Sequence, residues 1–484
     1  MMRWLKRPLH ASWQIFCIGV AIVVGVVVSA QVAQGFFGSL GWLLSGIALT
    51  LTACYWQRRF LVLFAIIGGL LIGLWRGSVE QQALTVYQSL IGKTLTLRGV
   101  VADDVSEDKQ GNTVLRLKDI VFGTYNLQGQ LWINVSKKQL VERSDSVTVK
   151  GKLVPGFGTF SGAMYRATIE KTIRPIPGDV ALHVRDWFSG LVRKAIPEPE
   201  SALGVGFLVG QRRNLPQDFD AALKLAGLTH IVVASGYNLT ILVRLARRLF
   251  ERISKYMATV TSLGLIVGFI LITGLSPSMS RAGLVAGLSL AAWYYGRKFH
   301  PLVLLALALA VTVLVNPAYA WGDIGWQLSF AAFAGVMVLA PLLQAFYFGD
   351  KKPGVIRQIL IETIAATLMT VPILIGAFGY ISNVAIPANL LILPLVPLAM
   401  LLTFIAGIGA LIVGGIAAIF GFPAYLLLMY MVKTTEFFAN LPWAKTDIAI
   451  GLGHVVGMYI LLGVFMSFMW WRTRLNLRDS NLVV

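Results

Sequence analysis

The chain has 484 residues, of which 57% are hydrophobic and only 13% are charged, and its mean hydropathy is +0.74. This composition excludes a soluble globular protein, because such a fold cannot cover so much apolar surface. The net charge of +19 fits a multispan membrane protein, whose cytoplasmic loops collect Lys and Arg. A spanning helix needs roughly 17–25 mostly apolar residues, and about twelve such stretches occur along the chain.

The first segment, residues 1–77, is predicted to be a three-span membrane unit. Apolar runs near 13–34, 36–56 and 60–76 supply the spans. Basic stretches before the first span and between the second and third mark the cytoplasmic side. The third span is therefore expected to leave the membrane on the outside.

The second segment, residues 78–178, is predicted to be an extracytoplasmic β-domain. Five short β-rich stretches, among them TLTLRGVV and LWINV, are separated by turn residues. In LWINV, Leu131 and Ile133 alternate with Trp132 and Asn134, which is the period of a half-buried strand. Five such strands suit a small closed barrel, and an OB-like barrel is the expected type.

One face of this domain carries residue types that bind single-stranded nucleic acid. Residues 90–175 contain 13 Lys and Arg against 8 Asp and Glu, a net charge of +5. The strand alternation places Arg116 and Lys118 outward, and Trp132 faces outward as well. Aromatic rings stack on bases while cations follow phosphates, so these three residues are predicted to form the contact. The alternative is a solvated barrel face on which Trp132 covers a seam.

The third segment, residues 179–475, is predicted to be a membrane channel domain, followed by a cytoplasmic tail at 476–484. It begins with an amphipathic, interfacial stretch, DWFSGLVRKAI, and an apolar stretch too short to span, SALGVGFLVG. Basic loops then alternate with loops poor in Lys and Arg, which places both termini in the cytoplasm and the β-domain outside. The expected spans lie near 225–248, 257–275, 281–296, 300–316, 326–346, 357–378, 387–405, 408–432 and 451–471.

The first of these spans carries polar side chains, which are expensive at membrane depth. They are His230, Ser235, Tyr237, Asn238, Arg244 and Arg248. At 100° per residue, all but Ser235 and Asn238 fall within a helix sector of roughly 40°. A stripe of donors that ends in positive charge suits a path for a polyanion. The alternative is helix packing, with His230 and Asn238 bonding across an interface and the arginines following the loop-charge rule.

Polar residues also stand at the ends of other expected spans, and they are predicted to line the same path. They are Arg281, Asp323, Gln327, Asn383 and Asn389. Loop charge does not explain Arg281 at an outer end, so it pairs, snorkels or meets an anionic ligand. Asp323 and Gln327 share a helix face, although Asp323 equally suits a helix cap.

The motifs GLTHIVVASGYN, SMSRAG, DIGWQLSF and SNVAIPANLLILP follow the β-domain in that order. This arrangement resembles the ComEC family of competence proteins over nearly the whole chain. The resemblance implies a channel in the cytoplasmic membrane that imports single-stranded DNA during natural transformation, with an OB-like external domain. The positions that match the family are Gly227, Thr229, His230, Ser235, Gly236, Arg281, Asp323, Gln327, Ser329, Asn383, Pro387 and Pro394.

The chain departs from the family pattern in two places. Residues 235–238 read Ser-Gly-Tyr-Asn where the family usually has Ser-Gly-Leu-His, and Asn238 cannot carry a proton. Many members also end in a cytoplasmic metallo-β-lactamase-like domain, and no His-x-His-x-Asp-His cluster occurs in this sequence. Nuclease activity is therefore expected in a separate protein, and the chain is expected to be no enzyme and to need no metal or cofactor.

The resemblance implies several partners besides single-stranded DNA. These are a DNA-delivering receptor or pilus system outside, a cytoplasmic ATPase or helicase inside, and a separate nuclease. The sequence has no phosphate-cradling Gly-rich loop with Lys, so transport depends on an outside ATPase or on a gradient. A homo-oligomer is compatible with the sequence.

Two other functions stay open on the residues alone. A polytopic exporter of another polar or lipid-like substrate explains the spans but leaves the β-domain and Arg281 without a role. An intramembrane serine hydrolase finds a superficial basis in the sequence VASG. However, His230 lies about 140° from Ser235 around a helix, too far for a catalytic dyad.

Overall fold

A computed structural model shows two compact units in the chain. The first comprises Met1–Val180 with Leu302–Gln327, and the second comprises Ala181–Pro301 with Leu328–Val484. Each unit is described by itself. The structure describes residues 11–31, 35–56, 59–108, 110–136, 139–211, 215–232, 236–274, 277–296, 300–349, 354–412 and 414–475.

The first unit begins with three apolar helices, α1 (Ala11–Ser29), α2 (Leu40–Trp56) and α3 (Val62–Leu90). Helix α3 carries glycines four residues apart, at Gly69, Gly73 and Gly77, which form one stripe. A Cβ at Gly73 would collide with the Ile22 carbonyl of α1, and one at Gly77 would collide with the Ser29 side chain. Small residues allow such close backbone approach between membrane helices.

Helix α3 is longer than a bilayer requires. Its 29 residues extend about 44 Å, against a hydrocarbon core of roughly 30 Å. The last turns enter the β-domain, where Tyr87 is buried in the barrel core and donates a hydrogen bond from its hydroxyl to the Gln128 carbonyl at 2.8 Å. The helix therefore continues without a break past residue 76, where the third span was predicted to end.

The β-domain is a closed five-strand barrel, as predicted. Strands β1, β6, β7, β5 and β3 follow one another around the ring, and β3 pairs with β1 to close it. The β5–β7 pairing is parallel and the others are antiparallel. Short strands β2 and β4 pair with the ends of β3. The strands are β1 (Thr94–Val101), β2 (Ser106–Glu107), β3 (Thr113–Phe122), β4 (Tyr125–Leu127), β5 (Leu131–Val135), β6 (Ser146–Pro155) and β7 (Gly162–Ile173).

Ion pairs fasten the segment that leaves the barrel to the loop between β5 and β6. The Arg143 Nε donates to Asp179 at 2.6 Å, and Arg174 donates two hydrogen bonds to the buried Asp145. Hydrogen bonding to Asp145 raises the pKa of Arg174 above its usual value. The chain therefore leaves the barrel along a fixed course.

The rest of the chain is mainly helical, and its elements follow in chain order. They are α4 (Val180–Ala195), α5 (Glu200–Val209), α6 (Gln217–Leu225), α7 (Thr229–Val232), α8 (Gly236–Phe250), α9 (Lys255–Thr273), α10 (Pro277–Tyr294), α11 (Pro301–Val315), α12 (Tyr319–Gly322), α13 (Ile324–Ala334), a π-helical turn (Gly335–Leu339), α14 (Ala340–Phe348), α15 (Val355–Phe378), β8 (Tyr380–Ser382), α16 (Ala385–Ile392), α17 (Val396–Ile412), α18 (Ala417–Ala439), β9 (Lys445–Asp447) and α19 (Leu452–Thr473).

Within the first unit, α3 also binds the end of α11. The Arg76 guanidinium donates to the carbonyls of Leu314 and Val315, at 2.8 and 3.1 Å, and pairs with Glu80 on its own helix. These carbonyls belong to the last turn of α11, which lacks intrahelical donors and carries the negative end of the helix dipole. An arginine there satisfies both needs and places the chain just before α12.

The second unit is built around α5, whose ten residues are all buried. At about 15 Å this helix is too short to span, as predicted for the SALGVGFLVG stretch. Gly204 lies against Thr403 of α17 and Leu428 of α18. The apolar core continues through the faces of α17 and α18 that surround this helix.

The span predicted at 225–248 begins with a turn. Helix α6 ends at Leu225, and Gly227 adopts a left-handed φ of +70° that favours glycine. Helix α7 begins at Thr229 and α8 begins at Gly236, and the residues between them lie outside the described part of the chain. The spans predicted at 387–405 and 408–432 also have different bounds, since α16 and α17 run together through a 3₁₀ turn at Leu393–Leu395.

Eight helices in the described part of the chain are long and apolar enough to cross a membrane. The membrane class is therefore confirmed, and the protein is multi-pass. Three shorter apolar helices accompany them, at Leu40–Trp56, Glu200–Val209 and Pro301–Val315.

Candidate functional site

Three of the four sequence motifs come together in the second unit. Gly227 lies so close to Ala385 that a Cβ would stand 2.7 Å from the alanine Cβ. The Ser382 hydroxyl donates to the Leu225 carbonyl at 2.6 Å. Gly236, at the start of α8, faces Ala282 of α10. The stretches around residues 227–238, 279–283 and 382–394 therefore form one packed cluster, which is called the motif cluster below.

Helix α8 retains most of the predicted polar stripe. Tyr237, Arg244 and Arg248 lie on one side and are exposed. The opposite side, with Leu239 and Val243, is buried against α9 and α10. Helix α8 therefore has an apolar face that packs against α9 and α10 and a cationic face that is exposed.

Two further residues of the predicted stripe region are His230 and Asn238. His230 is exposed on α7, and the residues between α7 and α8 lie outside the described part of the chain, so its alignment with the stripe stays a prediction. Asn238 is fully buried, and its Nδ2 donates to the Phe207 carbonyl at 3.0 Å. That carbonyl belongs to the last turn of α5, where intrahelical donors are lacking. Asn238 is thus a packing residue, and Ser235 lies outside the described residues.

Two further predicted path residues are buried in the motif cluster. Arg281 on α10 is only 3% exposed. Asn389 on α16 is also buried, and its Oδ1 has no hydrogen-bond partner among the described residues. A buried amide oxygen without a partner is costly, and nothing in the packing around it explains the cost.

Asn383 is exposed and also has a structural role. Its Nδ2 donates to the Trp443 carbonyl and to the Thr446 hydroxyl, both at 2.8 Å, and its backbone N–H donates to Ala444. These bonds extend the two-stranded β8–β9 pairing. Asn383 therefore fixes the turn that leads into α16.

Asp323 and Gln327 belong to the first unit, where Asp323 caps a helix. Its Oδ1 accepts the Trp326 N–H at 2.9 Å, which is the N-cap alternative for α13. The Gln327 side chain reaches back toward the Ala320 carbonyl at 3.4 Å. Both residues shape the turn between α12 and α13.

The outer face of the barrel presents the predicted set of side chains together. Arg116 on β3 lies directly opposite Trp132 on β5 in the strand register, and Lys118 follows two residues along the same face. Arg116 is exposed and pairs with Asp103 at 2.9 Å. Exposed pairs of this kind are weak, so the guanidinium stays available to another anion.

The structure adds aromatic residues that sequence reasoning missed. The Trp132 ring packs against Tyr165 and Phe157, with centroids 5.1 and 5.7 Å apart, and Phe157 packs against Phe160 at 5.4 Å. Tyr165 precedes Arg166, which holds a left-handed φ of +53°. The β5–β7 register shifts at this point, and the resulting bulge turns both residues outward. The set Trp132, Phe157, Phe160 and Tyr165 is called the aromatic cluster below.

An ordered loop borders this face between β1 and β3. The Asp108 carboxylate accepts hydrogen bonds from the Asn112 side chain and backbone and from Asn134. Bonding to Asn112, with help from Asn134, lowers the pKa of Asp108 to about 2. Asn134 was predicted to face outward with Trp132, but this loop covers it and leaves it buried.

Comparisons with known proteins agree with the motif arrangement. A family model described as "Competence protein" matches residues 207–474, which is more than half of the chain. ComE operon protein 3 of Bacillus subtilis (strain 168) is 25% identical over 229 residues, covering 47% of this chain and 29% of the relative. The chain thus spans under a third of that relative's length in the match. No solved structure matches.

The family model covers the motif cluster and runs from the last turn of α5 to the end of α19. The resemblance stated from the four motifs is confirmed by this model and by the match to ComE operon protein 3. The chain belongs to the competence-protein family of ComEC type, and its helices make it a multi-pass membrane protein.

Proposed function

We propose that this protein is a channel in the cytoplasmic membrane that imports one strand of DNA during natural transformation. The observation that carries the proposal is the barrel face on which Arg116 stands opposite Trp132. Cations that follow a backbone, next to rings that stack on bases, are the recurring features of single-strand binding. Within a multi-pass protein of the competence family, such a face suits a receiving surface for the strand.

The barrel itself is proposed to be OB-like. Counted along the chain, its five ring strands are β1, β3, β5, β6 and β7, and the ring order is first, second, third, fifth, fourth. OB-folds bind oligonucleotides on the face of the second and third strands and on neighbouring loops. Arg116, Lys118 and Trp132 lie on those two strands, which supports both the fold type and the binding role.

The route across the membrane is proposed to follow the exposed side of α8. Tyr237, Arg244 and Arg248 supply donors and positive charge on a face that packing leaves open. The basic loops favour a cytoplasmic location for this end of α8 and for both termini, and the barrel is proposed to lie on the opposite side. His230, Arg281 and Asn389 border this route as candidates within the motif cluster.

The proposal requires partners of defined chemistry. A receptor or pilus system delivers the DNA outside, and a cytoplasmic ATPase or helicase draws the strand inward. A separate nuclease degrades the complementary strand. The chain itself is proposed to act without catalysis, metal or cofactor.

Oligonucleotide binding to the full-length protein in lipid nanodiscs tests the proposal. Trp132→Ala should weaken binding of a labelled single strand by about 5- to 150-fold, since stacking contributes roughly 1–3 kcal/mol per base. Trp132→Phe should retain most of the affinity. Tyr125→Ala is the matched control, because Tyr125 is an exposed aromatic on β4 of the same barrel.

Two results would contradict the proposal. One is an affinity that Trp132→Ala leaves unchanged, and the other is equal loss in the Tyr125→Ala control. Transformation frequency in a competent host carrying each variant provides the second readout. If Trp132→Ala binds DNA normally in vitro and supports normal transformation in the host, the role of Trp132 is to cover a seam of the barrel.

A further inference from the structure

The aromatic cluster does not end on the barrel strands. Phe157 and Phe160 lie in loop 156–161 between β6 and β7, closed by a hydrogen bond from the Phe160 N–H to the Phe157 carbonyl at 3.0 Å. The Ser161 N–H also donates to the Gln130 carbonyl at 2.8 Å. The loop is therefore ordered, and it carries the rings away from Trp132 and toward the barrel's edge.

The tip of this loop touches a second part of the first unit, the turn at 319–323. A Cβ on Gly322 would collide with the Gly158 carbonyl, and it would stand 3.0 Å from the Thr159 nitrogen. Gly158 has a left-handed φ of +60°. The two backbones meet without intervening side chains, and only glycine at position 322 permits that approach.

This contact brings the backbone beside another exposed aromatic residue close to the backbone of the aromatic cluster. Phe157 and Trp321 each directly precede one of the touching glycines, and consecutive Cα atoms are 3.8 Å apart. Phe157 is 47% exposed and Trp321 is 37% exposed, so part of each residue remains accessible to a ligand. Asp323 is occupied as the cap of α13, so its carboxylate is held toward the helix backbone.

We infer that loop 156–161 and the turn at 319–323 form a second single-strand site, at which bases pass from Trp132 over Phe157 to Trp321. This inference rests on the proposed function of the barrel face. Sequence-tolerant binding proteins string exposed rings along a strand so that successive bases stack in turn. Here the row of exposed rings leads from the barrel to the chain segment that begins α13. A bound strand would therefore run from the barrel toward that segment.

Site-specific photocrosslinking in the full-length protein tests the inference. The photoreactive residue p-benzoylphenylalanine replaces Trp132, Phe157, Trp321 or Tyr125, one at a time, in protein held in nanodiscs with a labelled oligothymidine. Crosslinking at the positions of Phe157 and Trp321 should exceed that at Tyr125 by about fivefold or more, which is the lower end of the gain expected from one stacked base. An excess of unlabelled oligothymidine should reduce this crosslinking by competition.

The outcomes separate this inference from the proposal on which it rests. Crosslinks at Trp132 but not at Trp321 would leave the barrel face intact and overturn the second site. Crosslinks from Trp321 to lipid alone would make that ring a membrane-interface anchor and would also overturn it. Failure at every position, Trp132 included, would remove the proposed function.

A backbone variant supplies a second measurement. Gly322→Ala should push the loop off the turn and lower crosslinking at Trp321 severalfold while sparing crosslinking at Trp132. Gly41→Ala is the matched control, because a Cβ at Gly41 meets only the Ser39 hydroxyl, at 3.9 Å. Unchanged crosslinking at Trp321 in Gly322→Ala would show that the contact does not guide the strand.

Discussion

The barrel face and the motif cluster use polar and aromatic residues in opposite ways. On the barrel, Arg116, Trp132 and Tyr165 point away from a core that is complete without them. In the motif cluster, Asn238 and Asn383 are bonded to backbone carbonyls of other segments. The barrel's polar face is therefore available to a ligand, whereas much of the cluster's polarity holds short helices in place.

This difference follows from the secondary structure of the two regions. A closed barrel satisfies its backbone hydrogen bonds within its own strands, so its outer side chains are left for binding. The second unit instead contains short helices such as α5 and α6, and helix ends leave carbonyls and N–H groups without intrahelical partners. Inside a membrane protein those groups must be satisfied by side chains. Motif residues near such breaks are thus expected to act first on packing.

The largest effect is expected from reversing charge on the exposed side of α8. Arg244→Glu or Arg248→Glu should lower transformation frequency by about tenfold or more, because a like charge near phosphate costs several kcal/mol. The amount of protein in the membrane, followed by immunoblot, should not change. Arg252→Glu is the control beyond the helix, and equal loss there would indicate a general need for positive charge at that surface.

Asn238→Leu should test the packing side of the comparison. It leaves the Phe207 carbonyl buried without its donor, at a cost of about 1–3 kcal/mol in the free energy of unfolding. Thermal unfolding of the purified protein in detergent measures the loss, and Arg248→Gln on the same helix should show none. A variant of unchanged stability that still abolishes uptake would move Asn238 from packing into the path.

The barrel face should show a salt dependence that its aromatic residues do not share. Replacing both Arg116 and Lys118 with Gln should reduce the slope of log K against log salt by about 0.7 for each lost phosphate contact. Trp132→Phe should leave the slope unchanged. Lys171→Gln, on exposed β7, serves as a comparison for a cation outside the face, and an equal change there would mean that only overall charge matters.

The smallest expected effect concerns the loop beside the barrel face. The pKa of Asp108 is lowered to about 2 in the folded protein, against about 3.9 for an unfolded Asp. Its contribution to stability is therefore fully present above about pH 4 and is lost as the pH falls through 2. Hydrogen exchange of peptides covering 106–114 should accelerate over this range, and Asp108→Asn should flatten the profile. If the pH dependence of exchange is the same in Asp108→Asn as in the native chain, titration of Asp108 is not its cause. Glu170→Gln is the control and should show the native pH dependence.

The barrel was predictable because its signal is local. Alternation around Leu115, Leu117 and Ile133 identifies inward residues one strand at a time, and the structure buries all three. The pairing of Arg116 with Trp132 required only the strands' register. The aromatic partners Phe157 and Tyr165 were not predicted beside Trp132. A loop positions Phe157 and a bulge positions Tyr165, and neither feature produces a periodic sequence pattern.

The packing of the turn between α6 and α7 was not predictable from helical periodicity. Residues 225–248 have the hydrophobicity of one span, but Gly227 follows the end of α6 in a left-handed conformation and packs against Ala385. That contact joins residues far apart in the chain, so no local pattern reports it. The role of Asn238 was hidden for the same reason, because its partner is the end of a buried helix.

The continuous α3 helix has a mechanical consequence for the proposed capture of DNA. Its final turns are part of the barrel core, so no flexible linker separates the barrel from the membrane helix that carries it. A domain on a loose tether samples a volume that grows with tether length, and its local concentration at any target falls accordingly. A barrel on a rigid stem samples almost none. A strand that lands on it is presented at one height and one orientation, and delivery therefore does not wait on a diffusive search.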